Sequence, residues 1–165
     1  MKNKFIRFVS VGGTIDKIYF DASSRFEVGD SQLEHILTEG LVTFEYDVVP
    51  LMRKDSLEMT DADRELVREF IRNDDAECYV ITHGTDTLTE TASALQGISG
   101  KTIVLTGALS PARFRTSDAT FNVGLAVAAA QTCDPGVYVA MNGQVFAAGT
   151  VRKNKQANCF QEIEQ

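Results

Sequence analysis

Five apolar runs with strand-like composition each end abruptly at small, hydroxyl-bearing or acidic residues. They cover residues 5–11, 44–50, 78–82, 102–105 and 137–141. Segments with helical periodicity lie between them, over residues 31–40, 60–73, 87–96 and 118–132. Because strands alternate with helices of this length, the pattern predicts an α/β fold with a parallel, doubly wound sheet. A last pair of short runs, 144–146 and 150–152 around Gly149, predicts a β-hairpin or a strand extension.

The predicted helices carry recognisable start signals. Ser31 and Thr60 precede apolar periodic segments and are candidate N-caps, and Thr87 opens a Thr-Leu-Thr-Glu segment that matches a capping box. The helix over 118–132 is rich in Ala and Val with almost no charge. It is therefore expected to be buried on most sides.

Length and charge limit the class of protein. With 165 residues the chain is expected to form one domain over 1–165, with no C-terminal domain after it. A net charge of −7 argues against nucleic acid or an anionic membrane as a partner. No apolar run approaches the roughly 20 residues that span a bilayer. The opening residues run into a glycine turn without a cleavage site, so we expect a first strand there and not a secretion signal.

Three cysteines, Cys78, Cys133 and Cys159, are widely spaced and match no metal-ligand pattern. They are expected to be buried or incidental thiols in a reducing cytoplasm. With only two histidines in the chain, a zinc site is not expected either.

A parallel arrangement of the strands brings five connecting loops to one edge of the sheet. In open α/β sheets this carboxyl edge is where ligands bind. The loops contain Gly12-Gly13-Thr14, Asp55-Ser56-Leu57-Glu58, His83-Gly84-Thr85-Asp86, Gly107-Ala108 and Asn142-Gly143. Two of them place a threonine after a glycine, so the edge is expected to present two hydroxyls and free backbone N–H groups.

Two threonines with a neighbouring acid suggest nucleophilic catalysis. A threonine hydroxyl is a weak nucleophile at neutral pH and needs a base or another activating group. Tyr19 and Asp86 are near in sequence to Thr14 and Thr85, and Lys153 is a candidate lysine base. Backbone N–H groups of the two Gly-Thr turns would stabilise an oxyanion.

Each of these residues also has a structural interpretation. Gly12-Gly13-Thr14 is more typical of a simple turn. Thr85 and Thr87 are compatible with caps of the following helix, and Asp86 with its dipole. His83 is more typical of a structural hydrogen-bonding residue, and Lys153 of a solvated surface residue. The chain has neither a G-x-x-x-x-G-K-[ST] phosphate loop nor a G-x-G-x-x-G motif, which weakens a flavodoxin-like nucleotide-binding function.

Taken together, the motifs resemble those of the bacterial-type L-asparaginase/glutaminase family. Gly12-Gly13-Thr14-Ile15 is similar to the first signature of that family and Thr82-His83-Gly84-Thr85-Asp86-Thr87 to the second. The supporting segments are Gly107-Ala108-Leu109-Ser110-Pro111, Ser117-Asp118, Phe121-Asn122, Met141-Asn142 and Val151-Arg152-Lys153. The resemblance extends in order over nearly the whole chain and implies a flavodoxin- or Rossmann-like three-layer sandwich.

The resemblance implies hydrolysis of L-asparagine to L-aspartate and ammonia, without a metal or a cofactor. Thr14 would be the nucleophile, assisted by Tyr19 in a mobile loop, and Thr85, Asp86 and Lys153 would form a second triad. The implied substrate-binding residues are Asp55, Ser56, Gly84, Thr85, Asp86 and Ala108, with Ser56 on the α-carboxylate, Asp86 on the α-ammonium and the Ala108 carbonyl on the amide.

Members of the family typically carry a second domain, so the chain resembles the short, single-domain asparaginases. A pocket made by one small domain is open to water, and we therefore expect a homodimer or homotetramer in which a neighbouring subunit closes it. A non-catalytic amino-acid-binding or regulatory module that kept the pocket is the alternative function.

Overall fold

A six-stranded sheet forms the centre of the computed structural model, which describes residues 4–164. Residues 1–3, on which the expectation about a secretion signal partly rests, lie outside the described range. Its strands span Ile6–Gly12 (β1), Tyr46–Lys54 (β4), Cys78–Thr82 (β5), Thr102–Thr106 (β6), Gly136–Met141 (β7) and Gln144–Ala147 (β8). They lie in the order β4-β1-β5-β6-β7-β8, and within this sheet only β8 runs antiparallel to its neighbour. The predicted α/β fold with a mostly parallel, doubly wound sheet is confirmed.

Within residues 4–164, four α-helices cover the two faces of this sheet. They span Leu33–Glu39 (α1), Asp61–Asn73 (α2), Leu88–Ala94 (α3) and Ala119–Thr132 (α4). The apolar side chains of α2 and α3 pack in one core cluster with alternate strand residues such as Val9, Ile81 and Leu105. Those of α1 and α4 pack in a second cluster with Phe8 and Val80. The two cores on opposite faces produce the expected three-layer sandwich.

The helix starts agree only partly with the sequence signals. Thr60 caps α2 as predicted, in a reciprocal capping box with Asp63. Gln32 and not Ser31 occupies the N-cap of α1, although the Ser31 hydroxyl accepts a hydrogen bond from the Leu33 N–H. The prediction of a capping box at Thr87 is wrong, because the Thr87 hydroxyl donates instead to the Ser56 carbonyl at 2.7 Å.

Helix α4 is less buried than its composition predicts. Its inner face, with Val123 and Ala126, packs on the sheet, but Phe121, Gly124 and Ala128 are exposed. The reason is topological, since α4 belongs to an outer layer and the described residues cover only one of its sides. The expectation of burial on most sides is therefore wrong.

The described part of the chain also contains two smaller, two-stranded sheets. Strands β2 (Lys17–Phe20) and β3 (Arg25–Val28) form an antiparallel hairpin that the sequence patterns did not predict. Strands β9 (Val151–Asn154) and β10 (Cys159–Glu162) form the C-terminal β-hairpin. The hairpin is confirmed, but its pairing differs from the expectation, because residues 144–147 pair with β7 and residues 151–154 with β10.

Candidate active site

The site lies where the strand order reverses. Among the parallel strands, β1 has β4 on one side and β5 on the other, so the chain leaves β1 in one direction and continues from β5 in the opposite one. In doubly wound sheets such a switch point opens a crevice at the carboxyl ends of the two strands. Gly13-Thr14 follows β1 and His83-Gly84-Thr85 follows β5. The switch point therefore brings the two Gly-Thr turns side by side.

Direct contact between glycines makes this approach possible. A Cβ built on Gly13 would lie 2.3 Å from the Gly84 nitrogen and 2.4 Å from its Cα, and the φ of Gly13 is +95°. A side chain at Gly13 is thus excluded both by the backbone conformation and by the neighbouring loop. Thr14 and Thr85 each follow one of these glycines. Their backbones therefore lie at adjacent points of the sheet edge.

Ser56 reaches the same place from the end of β4. It lies in a 3₁₀ turn over Ser56–Glu58, is buried, and would contact a Cβ on Gly84 at 2.6 Å. The Thr87 hydroxyl holds this turn through the Ser56 carbonyl. The loops after β1, β4 and β5 are therefore packed against one another at their backbones.

Replacing Gly84 with alanine is expected to damage the site through this packing. The new Cβ would force the Ser56 turn away from the Gly-Thr turns, lowering both substrate affinity and the free energy of unfolding. Gly124 in α4 is a matched control, since a Cβ there has no atom within 4 Å. Gly124→Ala is expected to raise the free energy of unfolding by about 1 kcal/mol through helix propensity. Urea titrations of both variants would test this, and equal stability of Gly84→Ala and wild type would contradict it.

Lys153 bridges two side chains, those of Thr85 and Asp86, in the turn after β5. Its amine lies 2.8 Å from the Thr85 hydroxyl and 2.8 Å from an Asp86 carboxylate oxygen. The lysine side chain is only 13% exposed, so this is a largely shielded ion pair. A solvated surface position for Lys153 is excluded.

The C-terminal hairpin holds Lys153 in place. Lys153 in β9 pairs with Phe160 in β10, whose ring is buried in the core cluster of α2 and α3. The Phe160 N–H also donates to the Asn142 side chain at 2.7 Å, in the turn between β7 and β8. The lysine is thus fixed through the hairpin to the far strands of the sheet.

Thr14 itself begins a 3₁₀ turn, Thr14–Asp16, and is half-buried. Among the described residues its hydroxyl has no hydrogen-bond partner. Tyr19 is not one either, because it lies in strand β2 and not in a loop, with 54% of its surface exposed and its ring against Phe26 at 5.5 Å. The structure therefore shows no hydrogen bond between Tyr19 and Thr14.

The remaining predicted binding residues differ in accessibility. Asp55 uses one carboxylate oxygen for Lys17 at 2.8 Å and the other for the Leu57 N–H at 3.1 Å. Although burial raises the pKa of Asp55, these hydrogen bonds hold it below its usual value. Ala108 has no exposed surface. Its loop is held by Asp118, which accepts hydrogen bonds from the backbone of Leu109 and Ser110.

Asp16, which ends the turn that Thr14 begins, has no counterpart among the sequence expectations. It is buried and accepts hydrogen bonds from the Gln32 N–H at 2.9 Å and the Ser10 hydroxyl at 3.1 Å. Burial raises the pKa of Asp16 to about 6, and these hydrogen bonds only partly offset it. Only its position two residues after Thr14 could have indicated it.

The raised pKa of Asp16 predicts a pH-dependent stability. The folded chain holds this proton more tightly than the unfolded one, so the contribution is fully present below about pH 4 and is lost as the pH rises to about 6. The shift corresponds to about 3 kcal/mol. Asp16→Asn keeps the hydrogen bond from the Gln32 N–H on its amide oxygen, and its amide N–H can donate to the Ser10 hydroxyl in place of the bond that Asp16 accepts. Its stability relative to wild type is expected to rise by most of that amount between pH 4 and pH 7. Urea denaturation across this range checks it, with exposed Asp21→Asn as control. A constant difference would contradict the prediction.

No helix among residues 4–164 is both long enough and apolar enough to cross a bilayer. Within the same range, no group of three or more His, Cys, Asp or Glu side chains is arranged to hold a metal ion.

Comparisons with known proteins agree with this architecture. Residues 6–165 match the family model described as "Asparaginase, N-terminal". The L-asparaginase of Thermococcus kodakarensis superposes with a TM-score of 0.84 and 27% identity, over 98% of this chain and 52% of that one. The glutaminase-asparaginase of Acinetobacter glutaminasificans is 38% identical over 92 residues, which is 53% of this chain and 28% of that protein. One subunit of the glutamyl-tRNA(Gln) amidotransferase of Methanococcus vannielii is 45% identical over 83 residues, or 49% of this chain and 19% of that protein. The chain thus spans about half of the solved structure and a smaller part of these two relatives.

Proposed function

Since the chain belongs to the asparaginase family, we propose that it is an amidohydrolase that converts L-asparagine to L-aspartate and ammonia. The observation that carries the proposal is the Lys153 amine, shared between the Thr85 hydroxyl and the Asp86 carboxylate beside the turn of Thr14. Binding an amino acid does not by itself require a largely shielded lysine on a threonine hydroxyl. An amide hydrolase does need groups that carry protons, because protons must move when the carbonyl is attacked.

In the proposed reaction the Thr14 hydroxyl oxygen attacks the side-chain amide carbon of asparagine. The carbon–nitrogen bond breaks, ammonia leaves with the hydroxyl proton, and an ester to Thr14 remains. Water attacks this ester and releases aspartate. Thr85, Asp86 and Lys153 carry protons on the opposite side of the carbonyl, and the N–H groups of the Gly-Thr turns stabilise the oxyanion. No metal or cofactor is proposed.

Tyr19 is still proposed to assist Thr14, and this role requires its hairpin to move. Its phenol is exposed on the β2–β3 hairpin, so it would assist Thr14 only if that hairpin closes over the bound substrate. Such a step has a general precedent, because catalytic contacts often tighten only when substrate is bound.

The substrate's charged groups match the polar groups of the site. Ser56 is proposed to bind the α-carboxylate and Asp86 the α-ammonium, with Gly84 allowing close approach and Asp55 fixing the turn that carries Ser56. Ala108 is proposed to accept from the substrate amide. Because it is fully buried, its carbonyl would reach substrate only after a small displacement of its loop.

Ammonia release from asparagine and glutamine by the purified chain, measured beside calorimetric titration of aspartate, tests the function. Ammonia release is the expected result, and aspartate binding without turnover would favour the alternative of a non-catalytic amino-acid-binding or regulatory module. The similarity to part of an amidotransferase supports a second candidate, a domain that supplies ammonia from glutamine to a partner. Faster turnover of glutamine than of asparagine would favour it.

We also propose that the chain is cytoplasmic and acts as a homodimer or homotetramer. All three cysteines are unpaired, as a reducing compartment would leave them. The exposed apolar side of α4, with Phe121 and Ala128, is available for a contact between copies. Sedimentation of a fully active monomer at micromolar concentration would contradict the oligomer.

A further inference from the structure

His83 lies beneath the site, between the end of β5 and Gly84. It has no exposed surface, and both ring nitrogens contact protein atoms. Nδ1 is 2.7 Å from the Gly84 carbonyl oxygen and Nε2 is 2.8 Å from the Thr91 hydroxyl in α3. Access to a substrate would require breaking both hydrogen bonds, so the geometry does not suit His83 as a base.

The chemistry of these partners assigns the protons on the imidazole. A carbonyl oxygen only accepts, so Nδ1 must carry the hydrogen that is donated to Gly84. Burial lowers the pKa of His83 to about 4, which leaves the ring neutral at pH 7. In a neutral ring the other nitrogen, Nε2, is an acceptor. It therefore receives the Thr91 hydroxyl hydrogen.

Arg64 determines the direction in which these hydrogen bonds are donated. Its Nε donates to the Thr91 hydroxyl oxygen at 3.2 Å, which leaves the one hydrogen of that hydroxyl for His83. The guanidinium is itself held by Asp61 and Glu90. Hydrogen bonds thus run in one sense from Arg64 through Thr91 and His83 to the Gly84 carbonyl.

The end of this chain is the peptide that joins Gly84 to Thr85. In a planar trans peptide the C=O and the N–H point in opposite directions. Because the imidazole holds the Gly84 carbonyl on the buried side, the Thr85 N–H points away from His83. Among the described residues no acceptor takes this N–H.

We propose that His83 is a positioning residue that orients the Thr85 N–H toward the developing oxyanion by holding the Gly84 carbonyl. Thr91 and Arg64 keep the imidazole proton on Nδ1, where it is donated to that carbonyl. The inference rests on the proposed amide hydrolysis and adds to it a buried hydrogen-bond chain that fixes an oxyanion donor. An N–H that is held before the reaction needs no reorientation in the transition state, which is the source of its effect.

Two substitutions at His83 separate the effect of the Nδ1–H donor from the effect of the rest of the side chain. Asparagine places an N–H₂ group near Nδ1, whereas glutamine places one near Nε2 and loses the donor to Gly84. We expect His83→Gln to lower kcat about 10- to 100-fold with KM within about threefold, because the lost interaction acts in the transition state. His83→Asn is expected to keep kcat within about fivefold of wild type. Exposed His35→Gln is the control, with unchanged kcat.

Thermal unfolding of the same variants excludes a purely structural role. Each substitution leaves one partner without a hydrogen bond, so both are expected to lower Tm by similar amounts. Rescue of kcat in His83→Asn at equal Tm supports the inference. Equal losses of kcat in both variants would overturn it.

The tautomer provides a readout without substrate. In protein labelled with ¹⁵N-histidine only two imidazoles are visible, and His35→Gln assigns them. A neutral ring protonated at Nδ1 at pH 7 is expected. A ring protonated at Nε2, or at both nitrogens, overturns the inference even in an active enzyme. An inactive wild-type chain would instead overturn the proposed function, while an Nδ1-protonated ring would still support the hydrogen-bond chain.

Discussion

Thr14→Ala is expected to reduce ammonia release from asparagine by roughly a thousandfold or more, because it removes the proposed nucleophile. The variant should fold normally. Among the described residues the Thr14 hydroxyl has no hydrogen bond to lose, and the residue is only half-buried. A steady-state ammonia assay gives kcat, and urea denaturation gives the free energy of unfolding, which we expect within about 0.5 kcal/mol of wild type.

Two further variants make the result for Thr14 specific. Thr14→Ser keeps a hydroxyl on the same backbone and should retain measurable turnover. Thr132→Ala is the matched control, since Thr132 is exposed at the end of α4 and its hydroxyl bonds only the Ala128 carbonyl. Wild-type turnover in Thr14→Ala would remove this residue from the mechanism, whatever the other variants do.

The central sheet was predictable from sequence because burial on both faces leaves continuous apolar runs. Residues 78–82 and 102–106 are fully buried along their whole length, and such strands are visible without any alignment. Their alternation with helices then determines which loops share an edge. For the same reason, the grouping of the turns that carry Thr14, Ser56 and Thr85 followed from topology alone.

The hairpin of β2 and β3 was missed for the opposite reason. Most of its residues are exposed, so no buried face imposes an alternating pattern on residues 17–28. The partner strands of β8 and of β9 were likewise not predictable from the sequence. Both strands are four residues long, and nothing in such short segments distinguishes a strand that continues the sheet from one that pairs with β10.

Hydrogen bonds between distant side chains were the least predictable part of the site. Thr87 has the local sequence of a helix cap, but a free carbonyl at Ser56 competes successfully for its hydroxyl. Asp16 shows no signal in sequence beyond its position after Thr14, because its raised pKa comes from burial that only the folded chain creates. Local patterns thus located the loops, while tertiary packing decided what their side chains bind.

Lys153→Met is expected to lower kcat about 10²- to 10⁴-fold, the usual range for a group that moves protons in the transition state. Methionine keeps the length and apolar stem of lysine but loses both contacts at 2.8 Å, to Thr85 and to Asp86. Lys155→Met is the matched control, because Lys155 is exposed two residues further on. The ammonia assay compares the two variants. If Lys153→Met loses no more activity than Lys155→Met, the lysine has no part in the mechanism.

A double-mutant cycle tests whether Lys153 acts through Thr85. Thr85→Ala alone should also cause a large loss, since the hydroxyl and the amine form one proton-carrying unit. Residues that act as a unit are strongly non-additive. The variant with both substitutions should therefore lose little more activity than the worse single variant. Losses that multiply would mean that the two side chains act independently, and the hydrogen bond between them would then have no part in proton transfer.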